Sequence, residues 1–228
     1  SDAVQRVQSL AGVLESQQLT SVAWSFARVA HRSAQLFQCV AAAVVERQLP
    51  LEPTEINRLV WAFAYPGRPA EERTGRAGGF RNPELLSHLA TQALRQMSRL
   101  DALQASSIAW SFATLTYRDQ ALFLALGTRF ADADTLRDFD AQNIAYLVWA
   151  FARARVGHDA LVEAAGEEAA RRGLAEFEQP HLSMLLWAIA RLGHPCRSIW
   201  AAASAHVPDT YAAHISDAQG VAGLAMAI

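Results

Sequence analysis

The sequence predicts an all-α protein, an α-solenoid of about five to six stacked helical hairpins with a 38-residue repeat. Two observations carry this prediction. A tryptophan-centred pattern recurs at nearly constant spacing, and a fixed period of about 30–50 residues is typical of stacked arrays. The apolar residues, which make up 52% of the chain, are rich in alanine and contain few β-branched runs. That composition favours closely packed helices over a sheet.

The first helix of each predicted hairpin, here called the A helix, is centred on one tryptophan. Phenylalanine or isoleucine follows two residues later, and alanine three residues later, in every copy. The copies read SVAWSFAR around Trp24, RLVWAFAY around Trp61, SIAWSFAT around Trp110, YLVWAFAR around Trp149 and MLLWAIAR around Trp187. We call these five residues the repeat tryptophans and number each copy from them. An A helix is expected from about position −7 to about position +5.

Successive repeat tryptophans lie 37, 49, 39 and 38 residues apart, and the long interval contains a Gly/Pro/Arg-rich insertion over residues 66–80. The repeats are therefore predicted near residues 14–50, 51–99, 100–138, 139–176 and 177–214, with a partial sixth copy at 215–228. We interpret residues 1–228 as a single α-solenoid domain and as a fragment of a longer chain, because the pattern is cut at both ends. The insertion is expected to be a disordered surface loop or an arm that orders on a partner.

The second helix of each hairpin, here called the B helix, is predicted from apolar residues spaced three and four apart. Its boundaries are marked by signals such as Asn82-Pro83, Gly157 and Gly193-His194-Pro195. A single hairpin of this kind cannot bury its apolar face, so neighbouring hairpins must stack and leave a groove.

Composition narrows the function classes. All 20 basic residues are arginine and they face 22 acidic residues, for a net charge of −2. A free-standing nucleic-acid-binding protein usually has a basic excess, which the whole chain lacks. Cys39 and Cys196 lie far apart, so a disulfide framework is not expected and a reducing compartment fits best. No stretch reaches the roughly 18 uncharged apolar residues of a membrane span.

The A-helix motif resembles the octotricopeptide repeat, a 38-residue helical-hairpin family with first helices of the LxWAxAxL type, as in LLWAIARLGHP from Leu185. The resemblance extends from about Gln17 to Ile228. It implies sequence-selective binding of single-stranded RNA in chloroplasts or mitochondria. It also implies that a member can serve as a structural subunit of a mitochondrial ribosome that grips rRNA.

A helical wheel at about 100° per residue separates a recurrent apolar arc from a variable polar arc at positions −6, −3, +1 and +4. Polar side chains on this arc are expected to meet base edges, and arginine or tyrosine to stack or bind phosphate. The alternative is that the arc is only the solvated face of an amphipathic helix. The candidate RNA-binding residues are Arg28, Arg58, Arg153, Arg191, Tyr65, Tyr146, Gln18, Gln104 and Asn143.

Charge distribution favours the RNA-binding interpretation of this arc. From position −7 to +4, the five A helices contain four arginines and one acid, Glu55, which gives a net charge of +3. The rest of the chain is then −5, since the total is −2. The sequence therefore predicts a basic A-helix face and an acidic back. The repeat tryptophans themselves are expected to be core pegs between repeats rather than a stacking ladder.

Residue patterns that would indicate catalysis are missing from the sequence. The seven histidines show no metal-ligand spacing, and there is no nucleophile elbow, phosphate loop or dinucleotide fingerprint. Glu167, Glu168, Arg171 and Arg172 are spaced as ordinary helix-surface pairs. We therefore expect no enzyme activity, no cofactor and no metal site.

The sequence as a whole predicts a non-catalytic organellar RNA-binding repeat protein that grips single-stranded or ribosomal RNA through its A-helix face. Its expected partners are that RNA and other proteins of a ribonucleoprotein complex, such as a mitochondrial ribosome. The alternative is a protein–protein scaffold within a large organellar complex. The expected location is the mitochondrion, with the chloroplast as the alternative.

Overall fold

The computed structural model describes residues 2–31, 33–65 and 79–206. Most of the predicted insertion and the partial sixth repeat lie outside these residues. The described part contains α-helices, two short 3-10 helices and no β-strand, which confirms the all-α class. The α-helices are α1 (Asp2–Leu10), α2 (Ser16–Arg28), α3 (Ala34–Glu46), α4 (Pro53–Ala64), α5 (Pro83–Arg95), α6 (Ala102–Thr114), α7 (Gln120–Phe130), α8 (Ala133–Leu136), α9 (Ala141–Ala154), α10 (Asp159–Arg172), α11 (Gln179–Leu192) and α12 (Arg197–His206).

Five of these helices are the predicted A helices, namely α2, α4, α6, α9 and α11. Each begins at position −8, one residue earlier than the sequence pattern indicates. The reason is an acidic residue at position −9 that occupies the N-cap or the place directly before the helix. A carboxylate there accepts hydrogen bonds from free backbone N–H groups and interacts favourably with the helix dipole.

Contacts between Cα atoms divide the chain into two compact units. Unit 1 comprises Ser1–Leu100 and Ser111–Leu122, and unit 2 comprises Asp101–Trp110 and Phe123–Ile228. In unit 1, A helices α2 and α4 pack side by side, and B helices α1, α3 and α5 form a second row. In unit 2, A helices α9 and α11 pack together, as do B helices α10 and α12. Within each unit, consecutive hairpins therefore stack in two layers, as in a solenoid. A single domain over residues 1–228 stays a prediction.

Equivalent aromatic contacts hold the layers together in both units. Phe37 of α3 meets Phe63 of α4 edge to face, with ring centroids 5.1 Å apart. In unit 2, Phe123 of α7 meets Phe151 of α9 in the same way at 5.2 Å. Each pair joins a B-helix residue at +13 to an A-helix residue at +2 of the next repeat, and all four rings are buried. The sequence period is therefore also a period of packing, and edge-to-face geometry adds to the burial of these large rings.

The end of the insertion returns to the core of unit 1. The Phe80 N–H donates to the Phe63 carbonyl at 2.9 Å, and the Phe80 ring stacks on Phe37 with centroids 4.3 Å apart. Residues 79 and 80, predicted as part of the insertion, are thus anchored between two repeats. The predicted loop or arm over the preceding residues lies outside the described part of the chain.

In three hairpins, a polar side chain at position +23, here called the clamp, donates a hydrogen bond from the end of the B helix to the backbone just before the A helix. In unit 1, Arg47 donates to the carbonyl of Leu14 at 2.6 Å, and Gln96, which takes the same place after the insertion, donates to that of Leu51 at 2.6 Å. In unit 2, Arg172 donates to the carbonyl of Phe139, also at 2.6 Å. All three acceptors stand at position −10, just before an A helix. The clamps satisfy carbonyls that no helix uses, and they fix each B-helix end against its own A helix.

Two glycines mark the places where B helices approach most closely in unit 2. Gly127 and Gly166 both stand at position +17 and are buried. A Cβ built at Gly127 would overlap the His158 ring, and one at Gly166 would overlap the Cys196 Sγ. Unit 1 has Ala41 and Ala90 at the equivalent places, so its B helices leave room for a methyl group.

Candidate nucleic-acid interface

The solvent-facing stripe of the A helices differs from the predicted polar arc. Positions −7 and +4 are exposed or half-buried in all five copies, and position −3 follows the same pattern. Position +1 is buried in four copies, at Ala62, Ser111, Ala150 and Ala188. The expectation that +1 belongs to the exposed arc is therefore wrong. The exposed stripe consists of −7, −3 and +4, with the repeat tryptophan along its edge.

The repeat tryptophans are half-buried, not fully enclosed. The largest fully buried side chains are instead mostly phenylalanines, such as Phe63, Phe112 and Phe151 at position +2. The expectation that the tryptophans are interior pegs is thus only half right, because an indole is too large to be enclosed at a helix-helix seam and keeps one part in solvent. On the wheel, position 0 lies only about 40° from +4, which already placed the ring beside the polar stripe.

Two of the side chains at position −6 cap the N-terminal ends of their A helices. The Glu15 N–H donates to Gln18 Oε1 at 3.0 Å, and the Asp101 N–H donates to Gln104 Oε1 at 3.2 Å. These are capping boxes, with an acid at −9 and an amide at −6. The structure therefore gives the two amides a role other than the predicted reading of base edges. The pattern of an acid followed three residues later by Gln or Glu was the sequence signal for it.

Asn143 is also at position −6 but is buried, with 8% of its surface exposed. Its Oδ1 accepts a hydrogen bond from Ser106 Oγ at 2.8 Å, between consecutive A helices of unit 2. In unit 1, Ser16 Oγ donates to Glu55 Oε1 at 2.9 Å between the equivalent helices. At Glu55 and Asn143, position −6 therefore faces the seam between A helices. Asn143 is not available to RNA in this arrangement, contrary to the prediction.

In unit 1, two predicted arginines meet at one ring. The Cζ of Arg28 lies 5.0 Å from the Trp24 ring centroid, and the Cζ of Arg58 lies 5.8 Å from it. Arg28 belongs to the same helix as Trp24, whereas Arg58 comes from the next A helix. Both arginines are exposed, and both separations are within the range of a cation–π interaction.

In the next repeat of unit 1, a tyrosine instead of an arginine covers the repeat tryptophan. Tyr65, at position +4, stacks on Trp61 with ring centroids 4.5 Å apart and an interplanar angle of 20°. Residues four apart lie on one side of a helix, so a residue at +4 is placed to cover its own tryptophan. Arg28 on Trp24 and Tyr65 on Trp61 are two examples.

In unit 2, an aromatic row crosses three A helices. The Tyr146 ring lies 6.0 Å from the Trp110 ring and 5.7 Å from the His181 ring, measured between centroids. The Tyr146 hydroxyl accepts a hydrogen bond from Gln142 Nε2 at 2.9 Å. Arg153 and Arg191 are both exposed at position +4 of their helices.

The ion pairs that the structure describes involve other arginines than the four predicted ones. Arg99 is paired with Glu52, Arg137 with Asp134, and Arg171 and Arg172 with Glu168. Among the residues that the structure describes, Arg28, Arg58, Arg153 and Arg191 form no ion pair with a carboxylate. Their charge therefore remains available to an anionic ligand.

The Glu168 cluster of unit 2 is structural. The Glu168 side chain is 1% exposed and accepts hydrogen bonds from Arg171 Nε at 2.7 Å and from Arg172 Nε at 2.6 Å. The Arg171 hydrogen bond, with that of Arg172, lowers the pKa of Glu168 to about 2, although burial opposes this. The expectation that Glu168 forms an ordinary surface pair is wrong, because its carboxylate is buried and its partner Arg172 is only 12% exposed. Arg172 also donates to the carbonyls of Phe139 and Leu136 before α9.

No group of three or more His, Cys, Asp or Glu side chains in residues 2–31, 33–65 and 79–206 is arranged to hold a metal ion. Within the same ranges, no helix has the length and apolar character that crossing a membrane requires. Cys39 and Cys196 are free thiols, and burial raises the pKa of both.

Comparison with known proteins gives one family. The family model described as RNA-editing substrate-binding complex 6 protein matches residues 77–227, about two thirds of the chain. The matched residues include three of the five A helices and the aromatic row of unit 2, but not Trp24, Arg28 or Arg58. No curated protein matches the chain.

Proposed function

The chain belongs to the RNA-editing substrate-binding complex 6 protein family, and from that premise we propose that it is a non-catalytic, RNA-binding component of an organellar RNA–protein complex. The observation that carries the proposal is the A-helix stripe. Four arginines without carboxylate partners among the described residues lie on it, and two of them, Arg28 and Arg58, lie beside the half-buried ring of Trp24. Cationic groups that bind phosphate and aromatic rings that stack on bases are what single-stranded RNA requires.

The kind of complex follows from the family. Its printed description names an RNA-editing substrate-binding complex, which favours such a complex over the ribosomal subunit that the octotricopeptide resemblance implied. Whether the chain belongs to an RNA-editing complex or to a ribosome, we propose that its ligand is single-stranded RNA. RNA-editing complexes of this kind are mitochondrial in trypanosomatids, so we propose the mitochondrion as the location rather than the chloroplast.

A salt titration tests the proposal with a matched control. One variant replaces Arg28, Arg58, Arg153 and Arg191 by Gln. The control replaces four exposed arginines of B helices by Gln, namely Arg6, Arg95, Arg129 and Arg197. Both variants change the net charge equally, so only the position of the charges differs.

We expect the A-helix variant to bind single-stranded RNA at least about tenfold more weakly at low salt, because phosphate contacts release counterions. With four contacts removed, the slope of log affinity against log salt should become shallower by about 3. The control should bind like the wild type. Equal losses in both variants would show that RNA binding has no preferred face and would contradict the proposal.

A protein–protein scaffold is the second candidate. Val13 and Val29 are each 73% exposed, and Leu103 on the A-helix stripe is 59% exposed. Exposed apolar side chains of this size favour a protein contact. Copurification of the chain with protein partners after nuclease treatment, together with no RNA affinity at low salt, would support the scaffold over the RNA-binding proposal.

A further inference from the structure

We propose that Trp24, Arg28 and Arg58 in unit 1 form a nucleobase-stacking site. The ring of one nucleotide would lie against this cluster, and its phosphate would be held by the guanidinium groups. The inference rests on the proposed function, and it goes further by naming a site, a ligand class and a binding mode. The cluster lies outside the residues that the family model matches.

The first argument is geometric. Two guanidinium groups from consecutive A helices lie 5.0 and 5.8 Å from one half-buried indole. Ala23 and Ala27, on either side of Trp24 in the sequence, are buried, which fixes the helix face that presents the indole. A rigid ring at a solvent-facing seam binds a second ring at little entropic cost.

The second argument is electrostatic. Arg28 and Arg58 have the same charge and share one ring, and neither has a carboxylate partner among the described residues. Two positive charges beside one ring raise the local electrostatic potential, which favours the binding of an anion there. Arg99 of the same unit, by contrast, is paired with Glu52.

The third argument concerns the ligand. A nucleotide combines a flat π-system for the indole with a phosphate for the arginines, and arginine can also stack on a base. An acidic peptide provides negative charge but no flat ring for the indole, and an apolar peptide provides an apolar surface but no charge for the arginines. The adjacent Trp61–Tyr65 stack belongs to the neighbouring A helix of the same unit, so a second aromatic surface follows in the next repeat.

The test compares two probes on the 228-residue chain. One is a single-stranded oligouridylate, and the other is an abasic oligomer of the same length, which has the phosphates but no bases. The wild type should prefer the oligouridylate. Trp24→Leu should lose about tenfold in affinity for it, since stacking contributes roughly 1–3 kcal/mol per base. The Trp24→Leu variant should lose little affinity for the abasic oligomer, and the salt dependence of its binding should equal that of the wild type.

Several variants separate stacking from folding. Trp24→Phe keeps an aromatic ring and should retain most of the preference for bases. Trp200→Leu removes a half-buried tryptophan from B helix α12 and should leave both affinities unchanged. The double variant of Arg28 and Arg58 to Gln should make the salt slope shallower by about 1.4, which Trp24→Leu should not. Circular dichroism melting checks each variant, and the two-probe comparison on the wild type does not depend on any variant folding.

The possible failures are distinct. If the wild type binds neither probe at low salt, both the proposed function and this site are overturned. If it binds both probes equally, or if Trp24→Leu keeps the full preference for bases, RNA binding stands and the stacking site is overturned. If a polyglutamate peptide competes as well as the oligouridylate, the cluster is an acidic-protein site and the inference is wrong.

Discussion

Units 1 and 2 are built from the same repeat and both expose arginines on the A-helix stripe, but they differ in what surrounds their charged groups. Unit 1 places the exposed Arg28 and Arg58 beside the half-buried ring of Trp24. Unit 2 buries the Glu168 carboxylate under two arginines and presents an aromatic row centred on Tyr146. The equivalent contacts at Phe63 and Phe151 show that the helices pack alike in both. The repeat therefore fixes the scaffold, and a few variable positions determine what each unit offers a ligand.

The largest expected effect concerns the enclosed charge of unit 2. Glu168→Ala leaves Arg172, whose side chain is 12% exposed, without its carboxylate. Breaking a buried pair from one side costs about 3–5 kcal/mol, so we expect a loss near 3 kcal/mol in the free energy of unfolding by urea. Arg99→Gln breaks the exposed pair of unit 1 and should cost less than about 1 kcal/mol. Equal losses of unfolding free energy in Glu168→Ala and Arg99→Gln would contradict the description of the Glu168 pair as buried and the Arg99 pair as exposed.

The next effect is a dependence on pH. The pKa of Glu168 is lowered to about 2 in the folded state from an ordinary 4.5. A lowered pKa stabilises the fold fully above the unfolded value, and this stabilisation is lost as pH falls from about 4.5 towards 2. The wild type should thus lose about 3 kcal/mol more than Glu168→Gln between pH 5 and pH 2. Parallel pH profiles of thermal unfolding for the two proteins would contradict the assignment.

Units 1 and 2 differ at position +17, where unit 2 has glycine and unit 1 has alanine. Gly166→Ala should destabilise the protein by about 2 kcal/mol, because the added methyl overlaps the Cys196 Sγ. The double variant with Cys196→Ala should recover most of that loss. In unit 1, Ala41→Gly should cost about 1 kcal/mol through helix propensity and lost burial. Thermal melts of all four proteins measure this, and no recovery in the double variant would place the strain elsewhere.

The smallest effects concern position −6. Gln18→Ala removes one capping-box acceptor and should cost about 0.5 kcal/mol. Asn143→Ala leaves the buried Ser106 hydroxyl without that acceptor and should cost about 1–2 kcal/mol. Neither variant should change RNA affinity when compared at a temperature where both are folded. A loss of affinity in Asn143→Ala alone would restore that residue to the interface.

The sequence anticipated helices and buried positions far better than it anticipated the surface stripe. Every A helix appears where its tryptophan predicts it, and the residues at +2 are buried in four of five copies. Asn143 at −6 and the residues at +1 were assigned to solvent, but Asn143 and four of the five residues at +1 are buried. A helical wheel reports direction from a helix axis, but neighbouring helices decide which directions are covered.

The clamp at +23 was missed for a different reason. Arg47, Gln96 and Arg172 do not look alike in sequence, and the insertion displaces the second of them. They are equivalent only because each reaches the carbonyl at −10 of its own repeat. Backbone acceptors leave no residue signature, so no pattern of side chains could have pointed to this hydrogen bond.

By itself, the sequence determined the helical class, the hairpin period and the apolar positions, because burial of apolar surface imposes a regular spacing on any helix that packs. The tertiary structure alone decided which polar groups became caps, clamps or enclosed pairs, and which arginines stayed at the surface. Polar groups take the nearest partner that geometry allows, and that partner often comes from another repeat. Trp24 illustrates the difference: its position was evident from the repeat, but the two guanidinium groups beside it come together only when α2 packs on α4.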